Sequence, residues 1–222
     1  MRVCVKAGKD SHWQKSGNLI SYKPSRLNDT QEGQERSKKY FELSFSYDFK
    51  HKDDKVYFAY CFPYTFSKLS QHLRLLVTDE KNKSFLREEH FCYSLSGVSV
   101  PILTITSNID KVKEQGSPVA IQPEDFKDQD QVPVNKYKKY IIVSARVHPG
   151  ESVASFIMEG FLNFITGSSQ EAVELRRNVV FKVIPMMNPD GVITGNYRSS
   201  LSGNDLNRQF IAPNPKLHPE VY

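Results

Sequence analysis

The chain has 222 residues, 39% hydrophobic and 25% charged, an ordinary globular composition with room for one large domain or two modest ones. Its net charge of +5 is compatible with an acidic partner or with a merely solvated surface, and neither a nucleic acid nor a membrane is expected as partner. Cys4, Cys61 and Cys92 form no C-x-x-C pair. That indicates neither a disulfide framework nor a thiolate zinc site, and a reducing compartment fits. No apolar run is long enough to span a bilayer, and the N-terminus lacks the apolar core of a signal peptide, so a cytoplasmic location is expected.

Residues 1–106 read as β-rich. From Tyr40 the chain alternates, with Phe41, Leu43, Phe45, Tyr47 and Phe49 on one face and Glu42, Ser44, Ser46 and Asp48 on the other. This is the period of a half-buried antiparallel strand. Val56–Phe62 is the next strand, ended by Pro63. Leu69, Leu73 and Leu76 predict a helix over 67–77 with Ser67 as its cap. Strands are expected over 85–93 and 98–106, and the whole reads as an N-terminal antiparallel β-sandwich. Residues 107–135 are polar, charged and hold three prolines, which reads as a linker.

Residues 136–222 read as α/β, making the chain an α+β protein of two domains. Tyr140-Ile-Ile-Val143 predicts a strand buried on both faces. It leads to a helix over 152–165, on which Val153, Phe156, Ile157, Phe161, Phe164 and Ile165 recur at three- and four-residue steps. Ser168 and Glu171 stand in capping-box spacing for a second helix to Asn178. Val179–Ile184 is then a strand, expected parallel to the first. After Pro185 the chain reads as loop.

His148 and Glu151 fall where the first of these strands ends and its helix begins, the place where ligands bind in open α/β sheets. Imidazole nitrogen and carboxylate oxygen are both zinc ligands, and a catalytic zinc takes three protein ligands plus a water. The bland alternative is a His bonded to backbone and a Glu interacting with the helix dipole. Asn188-Pro-Asp-Gly191 is by itself a turn whose Asn and Asp fold onto their own backbone. Arg198, Asn207 and Arg208, in loops after a strand, suit a carboxylate held by charge-assisted bonds, or are simply solvated.

Strand–His-Pro-Gly-Glu–helix, then Asn-Pro-Asp-Gly, Gly-Asn-x-Arg and Asp-Leu-Asn-Arg, in this order, resembles the zinc metallocarboxypeptidases of the carboxypeptidase A type. It is closer to their cytosolic carboxypeptidase branch, enzymes that trim glutamates from tubulin and other proteins. Upstream, Trp13 with Gly17–Tyr22, Tyr40–Phe45 and Val56–Thr65 look like the β-sandwich domain preceding the catalytic domain in that branch.

The resemblance implies a mixed-sheet carboxypeptidase domain, incomplete here, over 136–222. It implies Zn2+ on His148 and Glu151, carbonyl polarisation and oxyanion stabilisation by Arg198, and a substrate α-carboxylate on Asn207 and Arg208. The reaction implied is attack by metal-activated water on a C-terminal or branch-terminal glutamate of an acidic protein tail. Gly150 departs from the arginine of the pancreatic enzymes and matches the cytosolic branch.

The family's second His ligand and general-base glutamate lie on later segments. His218, the only later His, fits a capping or surface role better than that of the third ligand, and Glu220 is a weaker candidate still for the general base. The expectation is a fragment that alone binds zinc weakly and lacks peptidase activity. Two other readings stay open: a non-catalytic tubulin- or protein-binding module, and an N-acyl amino acid zinc hydrolase.

Overall fold

β-Branched and aromatic residues pair early in the chain into two small antiparallel sheets. The computed structural model describes residues 2–8, 12–25, 40–112 and 137–222, which fall into two compact units, Met1–Pro63 and Tyr64–Tyr222. The first holds strands β1 (Val3–Ala7), β2 (Gln14–Ser16), β3 (Asn18–Pro24), β4 (Phe41–Ser46) and β5 (Val56–Ala59). One sheet has the order β2-β1-β5, the other pairs β3 with β4. The predicted alternation continues to Phe49, but β4 stops at Ser46 because its partner's ladder starts at Asn18, opposite Ser46. Tyr47 and Phe49 instead set their rings edge-on to each other at 5.2 Å, and Tyr47 meets Phe58 at 5.2 Å.

The second unit opens with helix α1 (Phe66–Thr78), capped by Thr65, whose hydroxyl accepts from the Lys68 N–H; the predicted Ser67 cap lies inside the helix. Strands β6 (Leu86–Tyr93) and β7 (Ser99–Ile105) form a hairpin. Sequence pattern assigned them to the first domain; the structure corrects this. β7 also pairs with β9 (Val179–Ile184), Leu103 opposite Val183 and Ile105 opposite Phe181. Ile102 and Leu103, on opposite faces of β7, are both buried, as suits an interior strand rather than half of a sandwich. The division between units therefore falls at Pro63, not within 107–135. Of that stretch, Ile109 and Val112 are buried in the second unit, and 113–135 lie outside the described residues.

β8 (Lys139–Ser144) runs parallel to β9, as predicted. It is not buried on both faces: the sheet order is β6-β7-β9-β8, and Ile142 at this edge is 73% exposed. The strand buried at every position is β9, flanked on both sides. Its Lys182 is held by the Thr104 hydroxyl at 2.6 Å and by Glu89 at 3.2 Å.

Helix α2 (Ser152–Ile165) spans the predicted range, and α3 (Gln170–Asn178) is capped by Ser169, one residue after the expected Ser168. Met158, Leu162 and Ile165 of α2 join Leu69, Leu73, Leu103, Ile105, Phe181 and Val183 in the main core. Each such side chain contributes roughly 1.5–3 kcal/mol by leaving water. Arg176 closes the end of α2, donating to the Ile165 and Gly167 carbonyls at 2.5 and 2.8 Å, with its guanidinium over the Phe85 ring. The segment expected as loop after β9 contains a one-and-a-half-turn helix, α4 (Pro189–Thr194), with Asn188 as cap, proline at its first turn and Gly195 left-handed at its end.

Candidate active site

The parallel pair carries the chain to the site. Beyond Ser144, Ala145 still bonds to Ile184 and Met187. Arg146 then turns left-handed, with φ +57°. A tight turn follows, in which the Glu151 N–H reaches the His148 carbonyl, and both side chains emerge on one side. His148 is 8% exposed. Its Nδ1 lies 3.1 Å from Glu151 Oε1 and its Nε2 lies 3.0 Å from Asp205 Oδ1. The other Asp205 oxygen accepts from Arg198 Nε at 2.7 Å, and Oδ1 also takes the Asn207 N–H at 2.9 Å, capping the 3₁₀ turn Leu206–Arg208.

The imidazole thus stands between two carboxylates. To donate to Asp205 its Nε2 must carry the hydrogen, a tautomer inferred from that bond. The Nδ1 lone pair then faces a Glu151 oxygen, and two acceptors at 3.1 Å repel unless a proton or a metal cation lies between them. Zinc bonds of 2.0–2.2 Å to N and O in tetrahedral geometry set ligand atoms roughly 3.3 Å apart, so the pair fits two corners of such a site. Among the described residues no group of three or more His, Cys, Asp or Glu able to hold a metal is found. Burial alone would raise the Asp205 carboxyl, but the Asn207 N–H, Arg198 and His148 outweigh it and hold it below the usual carboxylate range.

The bland alternative describes the pair only in part: Glu151 stands at the start of α2, where a carboxylate meets the helix dipole, but His148 is bonded to carboxylates rather than to backbone. Glu151 occupies the cap position of α2 yet makes no side-chain cap bond; its carboxylate faces His148 instead. Asn188 does fold onto its own turn, taking the Gly191 N–H at 2.9 Å, and also donates to the Val147 carbonyl beside the site. Asp190 does not. It reaches across to the β6–β7 turn, accepting from the Ser94 and Ser96 hydroxyls and the Ser96 N–H.

Two glycines set the close approach of these loops. The Gly150 N–H donates to Tyr197 O at 2.7 Å, and a Cβ there would stand 2.7 and 2.9 Å from the Tyr197 backbone. A Cβ on Gly191 would meet Pro149 at 2.7 Å and the Ser199 carbonyl at 2.8 Å.

Of the predicted site residues, His148, Glu151 and Arg198 are joined into one network through Asp205. Asn207 joins it by its backbone, while its side chain and Arg208 are exposed; Arg208 donates to the Asn207 carbonyl. His218 takes the Asn214 N–H on Nδ1 and meets Asn204 on Nε2, a capping role. Glu220 is 1% exposed with Oε2 unpartnered among the described residues. Asp205 belongs to the Asp-Leu-Asn-Arg motif, and residue type alone assigns it no task. Its position as the cap of a turn between two arginines was the available signal.

The zinc carboxypeptidase family profile matches residues 72–219. The chain is 40% identical over 213 residues to cytosolic carboxypeptidase 1 of Danio rerio, covering 95% of this chain and 17% of that protein. It is 39% identical over 217 residues to cytosolic carboxypeptidase 4 of Homo sapiens, covering 95% of this chain and 18% of that protein. It thus spans less than a fifth of these relatives. Among solved structures, a metallo-carboxypeptidase from Burkholderia cenocepacia superposes with TM-score 0.66 at 22% identity, covering 99% of this chain and 47% of the other. That likeness speaks for the fold: a mixed α/β carboxypeptidase-like arrangement.

Proposed function

The chain belongs to the zinc carboxypeptidase family, and from that premise we propose that it supplies the metal-binding and carboxylate-gripping part of a cytosolic exopeptidase site. Its substrates are glutamates at the ends of acidic protein tails or of their side-chain branches, tubulin tails being the leading case. The observation that carries this reading is the His148 edge turned toward Glu151 while Asp205 holds the opposite edge.

His148 Nδ1 and Glu151 are the zinc ligands in this reading. Bound there, zinc lowers the pKa of a water and polarises a carbonyl. The rest falls to the chain's own groups. Asp205 fixes the imidazole tautomer and orientation, as carboxylates behind metal-bound histidines do. It also anchors Arg198 by Nε, leaving the terminal nitrogens to meet the oxygen on which charge develops. Asn207 and the solvent-facing fork of Arg208 bind the substrate's α-carboxylate, which restricts the site to chain ends. Residues 1–63 hold twelve Lys and Arg against eight Asp and Glu, most of the chain's net charge. We read them as a β-sandwich accessory domain suited to an acidic partner.

The donor count favours one other reading. With two ligands for a metal that takes three in catalysis, the chain would bind acidic tails without turnover. One experiment tests both. Zinc-supplemented protein is titrated with a fluorescent peptide ending in Glu-Glu and with its C-terminal amide, and the mixtures are followed by mass spectrometry. Tighter binding of the free acid, lost in Arg208→Ala, is expected; released glutamate selects the hydrolase and binding without release selects the module. Equal affinity for acid and amide would contradict both.

A further inference from the structure

Arg146, two residues before His148, has no part in the chemistry above. Its backbone is left-handed, a conformation unfavourable to any residue that carries a Cβ. The residue is 6% exposed, so a guanidinium has been taken out of water beside the candidate metal pair. Neither expense is needed to end a strand; a glycine would turn the chain there freely.

What the guanidinium holds accounts for it. Nε donates to the Pro149 carbonyl at 2.9 Å. Nη1 donates to Ser155 Oγ at 2.7 Å and to the Tyr64 carbonyl at 3.1 Å. Pro149 lies between His148 and Glu151, Ser155 is in α2 just after them, and Tyr64 leads into α1. One rigid side chain therefore ties the loop that separates the two ligands to both helices. We propose that Arg146 is a positioning residue, which holds the Pro149 carbonyl so that the His148 and Glu151 donor atoms meet at one point before a metal arrives. This rests on reading those two residues as metal ligands.

The reason is entropic as well as geometric. Ordering each loop residue costs conformational entropy. A loop already fixed by buried bonds spares the incoming ion that cost. Lysine cannot substitute: a single ammonium on a flexible stem lacks the planar fork that reaches acceptors in separate directions.

The test uses the whole 222-residue chain and zinc alone, by competition with a chromogenic chelator. It is done well below each variant's Tm, so that affinity is read per folded molecule. Arg146→Gly removes the guanidinium while relieving the backbone strain, Arg146→Lys keeps the charge, and His148→Ala marks the site. Loss of zinc uptake in His148→Ala with a 10- to 100-fold weaker affinity in both Arg146 variants is the expected result, the range seen for outer partners of metal ligands. A purely structural role would lower Tm and leave zinc affinity per folded molecule unchanged. Affinity within twofold of the parent in Arg146→Lys, or in Arg146→Gly, with His148→Ala still inactive in uptake overturns the proposal alone. Should Arg146→Gly fail to fold, Arg146→Lys decides. If the parent takes up zinc no better than His148→Ala, the reading of the ligand pair falls and this inference with it.

Discussion

Replacing Gly150 by alanine separates close approach from backbone freedom. Gly150 is not among the left-handed residues, so alanine suits its dihedral angles and any penalty comes from contact. The added Cβ would stand 2.3 Å from the Tyr197 ring, 2.7 Å from the Tyr197 carbonyl oxygen and 2.9 Å from its Cα. The ring is more than half exposed and can swing away. The backbone atoms cannot, except by withdrawing the loop that carries Arg198 and stretching the 2.7 Å bond from the Gly150 N–H. Inserting a methyl into such a contact costs about 1–3 kcal/mol. For a unit of this size that lowers Tm by roughly 2–4 °C per kcal/mol.

The control is Gly160→Ala. Gly160 is exposed on α2 and a Cβ there meets nothing within 4 Å, so helix propensity should stabilise by about 0.5–1 kcal/mol. Calorimetry reads both shifts, and hydrogen exchange of the 148–152 peptide reads the broken bond. A Gly150→Ala protein with unchanged Tm and unchanged exchange would refute the claim that these loops are packed through this glycine.

Three further outcomes are expected. Leu162→Ala, at a fully buried position of the main core, should destabilise by about 2–5 kcal/mol in urea unfolding. Asp205→Asn keeps the size of the side chain but loses the charge that pairs with Arg198, and should weaken zinc binding roughly 10- to 100-fold. Burial, with the Asp190 charge adding to it, pushes the Glu220 carboxyl above its usual range. The folded state therefore keeps this proton after the unfolded chain has lost it, and stability falls as pH rises from the ordinary carboxylate value through the raised one. Glu220→Gln should match the parent at pH 4 and melt higher at pH 8, by roughly 2–4 °C if about 1 kcal/mol is recovered; equal melting at both pH values would remove the buried charge from the account.

The helices and the parallel pair β8–β9 were legible because their signals are local: apolar spacing, capping residues, and an uninterrupted β-branched run. What the pattern missed is the identity of neighbours. Tyr140–Val143 has the composition of an interior strand but stands at the sheet edge, while β9, equally apolar, is interior because β7 pairs with it. The β6–β7 hairpin read as part of the first domain because strand alternation carries no record of which sheet a strand will join. At the candidate site, His148, Glu151 and Arg198 stood out by residue type and order. Asp205 and Arg146 did not, since their tasks consist of contacts: one bridges a histidine and an arginine, the other grips carbonyls on separate elements. Asp190 shows the same limit, a residue typical of turns whose partners lie more than ninety positions earlier.

The most direct test of the central claim is a crystal of this chain grown with zinc and measured on both sides of the zinc absorption edge. An anomalous peak within about 2.0–2.2 Å of both His148 Nδ1 and Glu151, with Asp205 still on Nε2, is the predicted result. Zinc bound elsewhere, or a His148 ring turned so that Nε2 faces Glu151, would contradict it.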